Sequence, residues 1–163
     1  MIIKSFELDR TSLEKYHFFL FYGENNGHKE EIIKKIAQKV KIEKTTYFEN
    51  EILSNSDVFF NSLSSKSFFE TEKLIVVSKA TDKFRSIIDE IFEKNFKDIT
   101  IILNADELNK KSKLRSFFEK EKSLICTPFY KDNYQTLARL ASDFFQKKQV
   151  SVSREIINLI VER

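Results

Sequence analysis

Glycine, proline, cysteine, methionine and tryptophan are all scarce in this chain. Its 163 residues include two Gly, one Pro, one Cys, one Met and no Trp. So little Gly and Pro leaves little room for low-complexity or flexible linker segments. The lone Cys126 excludes an internal disulfide and any zinc site built from thiolates. It lies in the apolar run SLICTPF, which predicts a buried, inert thiol. Histidine is limited to His17 and His28, with no Asp or Glu pair at metal-ligand spacing to both, so each reads as structural or solvated. No GxSxG, HExxH or paired-acid signature occurs. No run reaches the ~18 apolar residues of a membrane span, and the N-terminus lacks a signal peptide's apolar stretch. A soluble, cytoplasmic protein with no membrane partner is expected. The net charge of +3 is too small for the strongly basic face of a dedicated nucleic-acid binder.

What is abundant is phenylalanine: 17 Phe within 41% hydrophobic residues supply a real core. The chain is organised around residues 18–40, FFLFYGENNGHKEEIIKKIAQKV. An apolar strand, Phe18 to Tyr22, leads through a short polar loop into a helix beginning near Lys29. Ile32, Ile33, Ile36, Ala37 and Val40 give that helix one buried face. Strand, glycine-bearing loop and helix in this order open a mononucleotide-binding fold. A phosphate-binding version needs GxxxxGK[ST], which brings backbone N–H groups, a lysine and a hydroxyl onto phosphate and magnesium. Here three residues rather than four separate Gly23 from Gly27, His28 follows Gly27, and Lys29 is followed by Glu30. The scaffold fits and the chemistry is missing, so no cofactor is expected.

Further along, Thr45–Glu49, Lys73–Ser78, Ile99–Leu103 and Leu124–Pro128 read as strands. A strand through Ile2 to Leu8 is a weaker expectation. Helices are predicted over Asn55–Ser65, with Val58, Phe59 and Leu63 inward, and after an Asp82 cap, with Phe84, Ile87, Ile88, Ile91 and Phe92 inward. A further helix spans Ser112–Lys122, with Leu114, Phe117 and Phe118 inward. The resulting β/α alternation predicts an α/β fold with an open, mainly parallel sheet covered on both faces, of which a RecA-like sheet is one version. Beyond Pro128 come two helices, Tyr134–Lys148 and one capped by Ser153, so the domains are expected at 1–130 and 131–163.

Three clusters are candidates for function. Asp106 and Glu107 stand where a Walker-B acid would, but with no phosphate loop to serve they read as capping residues. Lys110, Lys111, Lys113 and Arg115 form a basic cluster, read either as a solvated helix start or as a contact for DNA or an acidic protein surface. Ser67-Phe68-Phe69-Glu70 places adjacent phenylalanines in a polar setting, where both cannot enter one core. One reading is a bent connector with one Phe tucked under it. The other is an exposed hydrophobic plug for a partner's pocket.

Four segments in order resemble one family: FLFYGENNG, SLSSKSFFETEKLIVVSKA, IILNADELNKKSKLRSFFEK and the tail from Tyr130. Over essentially its whole length the chain resembles the delta subunit of the bacterial DNA polymerase III clamp loader. The tail departs from that pattern in carrying no Trp where many members have one. The resemblance implies an AAA+-type first domain without a working nucleotide site. It also implies a lid-like helical second domain in which the chain stops, and an assembly domain beyond it. Such a subunit is non-catalytic. ATP is hydrolysed by the other clamp-loader subunits of the DNA polymerase holoenzyme, which are partners along with the β sliding clamp, and DNA is a partner indirectly. The resemblance further implies that Phe68 and Phe69, after Ser67, enter a pocket of the β sliding clamp and help open the ring. The remaining alternatives are an α/β nucleic-acid-binding domain using Lys110 to Arg115 and a degenerate NTPase.

Overall fold

The computed structural model describes residues 1–10, 13–40, 44–65, 72–94, 96 and 98–162, except the side chains of 9, 10, 14 and 40. In chain order the elements are β1 (Phe18–Tyr22), α1 (Asn26–Val40), β2 (Lys44–Phe48), α2 (Glu49–Ser54), α3 (Ser56–Ser64) and β3 (Lys73–Ser78). They continue with α4 (Arg85–Lys94), β4 (Ile99–Asn104), α5 (Lys113–Lys120), β5 (Ile125–Pro128), α6 (Tyr134–Lys147) and α7 (Arg154–Val161). The strands form one sheet in the order β2-β3-β4-β1-β5. All pairings are parallel, with Leu20 opposite both Leu103 and Cys126. This is the open, parallel α/β sheet with helices on both faces expected from the alternation.

The apolar runs are continuous because both faces of the sheet are covered. Successive strand residues point to opposite faces. Leu20, Tyr22, Ile75, Val77, Ile101 and Leu103 therefore meet the side of α2 to α5, packing with Ile52, Phe59, Ile88, Leu114 and Phe118. Phe19, Phe21, Leu74, Val76 and Ile102 meet α1 through Ile32, Ile33 and Ile36.

Several local expectations are corrected. In the Ile2 to Leu8 segment only Ile2 pairs, as a bridge to Cys126, and Ser5–Arg10 is a 3₁₀ helix. Ile3 and Leu8 are both buried in one cluster. A strand would send residues five apart to opposite faces, so the coil is required. The β2 run ends at Phe48, whose N–H donates to the Glu51 carboxylate at 3.0 Å and starts α2. On α3 the inward residues are Phe59, Phe60 and Leu63, while Val58 is 61% exposed. Phe60 displaces Val58 because its ring has partners, stacking on Phe96 at 6.3 Å.

Asp82 does not cap the helix that follows it. Thr81 does that, its Oγ1 accepting from the Lys83 N–H at 3.3 Å. Asp82 reaches across to the start of α5, accepting from the Ser112 hydroxyl at 2.5 Å and the Leu114 N–H at 3.0 Å. Burial alone would raise the Asp82 carboxyl, but the hydrogen bonds from Ser112, Leu114 and Lys113 outweigh it and hold it below its usual range. A depressed carboxyl stabilises the fold above its unfolded pKa and loses that contribution as pH falls through the folded value. Asp82→Ala is accordingly expected to cost about 1 kcal/mol at pH 7, the scale of a lost N-cap. Urea melts at pH 7 and pH 2 check this, since the difference should vanish at the lower pH.

The chain divides into two compact units, Met1–Phe129 and Tyr130–Arg163. In the second, Asn133 and Thr136 exchange capping hydrogen bonds at 2.9 Å, and Ser153 caps α7. Ile157 alone is buried among its described residues, while Leu140, Phe144, Ile156, Leu159 and Ile160 are exposed.

Candidate functional site

The loop between β1 and α1 is where a phosphate would sit in a fold of this kind. Its geometry follows from Gly23, whose φ of +119° is a conformation that L side chains rarely adopt. The Gly23 N–H donates to the Asp106 carbonyl at 3.1 Å, and the Asn25 N–H to the Phe129 carbonyl at 3.3 Å. The Asn26 N–H donates to the Glu24 carbonyl at 2.8 Å, the His28 N–H to Asn25 Oδ1 at 3.1 Å and the Lys29 N–H to the Asn25 carbonyl at 3.1 Å. These donors, which a phosphate loop would aim at its ligand, are engaged by the protein itself. The helix starts at Asn26, earlier than expected, and the His28 ring packs edge-on against Phe129 at 5.1 Å.

Lys29 is fully buried, and its Nζ donates to the Ala105 carbonyl at 2.6 Å. Burial lowers the Lys29 pKa, Asp106 opposes that shift, and Lys79 adds to it. The sequence carried a signal for this: Lys29, Ile32, Ile33 and Ile36 share one helical face. A lysine with a lowered folded pKa costs stability at neutral pH, a cost relieved as pH rises from the folded toward the unfolded value. Lys29→Met removes that cost along with the hydrogen bond. It should leave stability within about 1.5 kcal/mol of wild type, whereas Lys29→Ala opens a cavity and should cost about 2–4 kcal/mol. Urea melts at pH 7 and pH 10 would check both, with wild type gaining on Lys29→Met at the higher pH.

Asp106 does not cap a helix either: both its carboxylate oxygens accept from Lys79 Nζ, at 2.9 and 3.0 Å, across the ends of β3 and β4. The basic cluster splits. Lys110, Lys111 and Lys113 are exposed. Arg115 is held in the fold, with Nε on Glu119 at 2.8 Å, Nη1 on the Leu108 carbonyl at 3.1 Å and its guanidinium 4.8 Å from the Tyr22 ring centre. Cys126 is buried, and burial together with the Glu119 charge pushes its thiol up to about 12, so no thiolate is present near neutrality.

Ser67, Phe68 and Phe69 lie outside the described residues; the stem on either side of them is described. The Ser65 N–H closes the end of α3 on the Asn61 carbonyl at 3.0 Å. Lys73, the first residue of β3, donates its Nζ to the Ser62 carbonyl at 2.5 Å and to the Ser65 carbonyl. Sequence reasoning missed this contact, because nothing in a lysine's position announces a partner eight residues back. Among the described residues no three His, Cys, Asp or Glu side chains are grouped to hold a metal ion, and no helix is long and apolar enough to cross a membrane.

No protein-family model and no curated protein matches this sequence. In three dimensions the chain is similar to the Bacillus subtilis DNA clamp loader delta protein (YqeN), with a TM-score of 0.65 and 15% sequence identity. The match covers 96% of this chain and 51% of that one, so this chain spans about half the length of its structural relative. At that identity the shared property is the fold.

Proposed function

We propose that this chain is the clamp-binding part of a clamp-loader delta-type subunit, a non-catalytic protein of bacterial DNA replication. The observation that carries the reading is the β1–α1 loop. On a sheet of the mononucleotide-binding type, the N–H groups of Gly23, Asn25, Asn26, His28 and Lys29 are hydrogen-bonded within the protein, and Lys29 is buried against the Ala105 carbonyl. A fold retained without its phosphate chemistry is suited to binding, and the fold likeness to a clamp loader delta protein names what such a fold can belong to.

In this reading residues 1–130 contact the β sliding clamp through Ser67, Phe68 and Phe69, and residues 131–163 are part of a helical second domain. Other clamp-loader subunits hydrolyse ATP, DNA is engaged indirectly, and the protein works in the cytoplasm. The sheet supplies the rigidity. The aromatic pair supplies the anchor for a pocket on the clamp. Opening a ring needs tighter binding to the open than to the closed state, because a ligand shifts an equilibrium only by its differential affinity.

The test is a titration of the chain against the cognate clamp, with parallel titrations against ATP and duplex DNA. Saturable clamp binding, with neither nucleotide nor strongly salt-dependent DNA binding, is the expected pattern. Failure to bind the clamp would sink the reading. A steep loss of DNA affinity with salt would instead favour Lys110, Lys111 and Lys113 as a nucleic-acid contact.

A further inference from the structure

We propose that β2 is a self-pairing edge, which joins two copies of this chain by antiparallel pairing about Thr46; the inference stands apart from the clamp reading. The two edges of the sheet differ. At the β5 edge, residues 1–3 run alongside Cys126, whose N–H donates to the Met1 carbonyl at 2.9 Å and whose carbonyl accepts from the Ile3 N–H at 3.0 Å. β2 forms the other edge, and no described residue pairs with its outer side. Lys44, Thr45, Thr46 and Phe48 are exposed. The outward N–H and C=O groups of an edge strand are a template for another strand, which proteins usually blunt with charge, proline or a bulge. β2 contains no proline, and its residues pair one to one with β3 without a bulge. Its single charge, Lys44, stands at one end. The rest, Thr-Thr-Tyr-Phe, is made of strong strand formers.

The strand is complementary to itself. Because side chains alternate between faces, a twofold axis normal to the sheet must pass between two copies of the same residue. Only an axis at Thr46 pairs the strand over its full length. Thr46 then faces the copy's Thr46, Thr45 faces Tyr47, and Lys44 faces Phe48. Threonine pairs and β-branched–aromatic pairs are favourable cross-strand neighbours. Charge agrees with this register. The Glu51 carboxylate accepts from the Phe48 N–H at 3.0 Å, beside the residue that the copy's Lys44 would oppose. Each Lys44 thus arrives at a carboxylate, whereas an axis at Lys44 would set two ammonium groups together. Tyr47 is held from within, its ring 5.5 Å from that of Phe59 and its hydroxyl 3.4 Å from Ser62 Oγ. With β3 on its inner side, β2 is ordered before it meets its copy, which lowers the entropic cost of pairing.

Sedimentation equilibrium of the whole chain from about 5 to 500 μM should show a reversible rise in mass from one chain toward two, because a strand-edge contact is a small, weak interface. Thr46→Lys sets like charges opposite each other on the axis, and should weaken the dimer at least about tenfold at unchanged melting temperature. Lys44→Glu, which brings carboxylates together, should weaken it as well. Thr46→Cys gives a positive readout. Directly opposed residues lie within disulfide reach, so this variant should cross-link under oxidised glutathione. Thr45→Cys should not, because the two copies of residue 45 lie on a diagonal, about 7–8 Å apart. Cys126 is buried and offers no competing thiol.

A wild-type chain that stays monomeric throughout this range overturns self-pairing, and a strand from another protein becomes the occupant to seek. A dimer that survives Thr46→Lys, or that cross-links equally through Thr45→Cys, overturns it too, since its contact or register is a different one. Should Thr46→Lys fail to fold, the cross-linking pair decides alone.

Discussion

Phe68→Ala/Phe69→Ala is expected to bind the β sliding clamp at least about a hundredfold more weakly than wild type, a loss of ~2.7 kcal/mol or more. A buried aromatic anchor typically loses about 2–4 kcal/mol on truncation, and adjacent anchors are not additive, so the floor is set near one full hot spot. The loss should appear mainly in the dissociation rate, because removing apolar contacts leaves the encounter step almost untouched. Far-ultraviolet circular dichroism should be unchanged. Binding that survives the double substitution would move the contact elsewhere on the chain.

The largest expected effect on stability is at Gly23. A Cβ there would lie 2.3 Å from the Phe129 carbonyl oxygen and 2.9 Å from its carbon, at a φ of +119°. The obstacle is backbone, which cannot swing aside as a side-chain tip can. The Phe129 N–H is also tied to the Tyr22 carbonyl at 2.8 Å, which couples any displacement to β1. Strain and overpacking together should make Gly23→Ala cost about 3 kcal/mol or more. Gly27 is the internal control. Nothing lies within 4 Å of a Cβ placed there, and it sits in the first turn of α1. Gly27→Ala should therefore be neutral or stabilising by up to about 1 kcal/mol, through reduced freedom of the unfolded chain. Urea melts of the two variants side by side test this. A Gly23→Ala variant within 1 kcal/mol of wild type, on the ~3 kcal/mol scale of a rigid clash, would mean the loop can rearrange.

The sheet was legible from sequence because four of its strands are nearly uninterrupted apolar runs, and a run buried on both faces leaves few alternatives. The helices were legible where the stripe was wide, as in α1 and α4. What escaped was decided by partners distant in sequence. Asp82 looks like a local cap because caps are usually local, yet Ser112 and Leu114 are its partners. Lys29 was read only as a departure from the phosphate-loop pattern; its place on the apolar face of α1 hinted at burial, and its partner, the Ala105 carbonyl just past β4, could not be read from the sequence. Arg115 looked like one of four equivalent cations, and Glu119 and Tyr22 set it apart. The departure from GxxxxGK[ST], by contrast, was readable directly, since it depends on residue type and spacing within a few positions of one another.

The exposed side chains of α6 and α7 have a calorimetric consequence. With Ile157 the one buried residue described between Tyr130 and Glu162, that unit removes little apolar surface from water when it folds. Apolar exposure on unfolding is what generates the heat-capacity increment, so almost all of the increment must originate in residues 1–129. A scan would then show one cooperative endotherm from the sheet domain, with the helix pair melting as a broad, shallow slope beneath it.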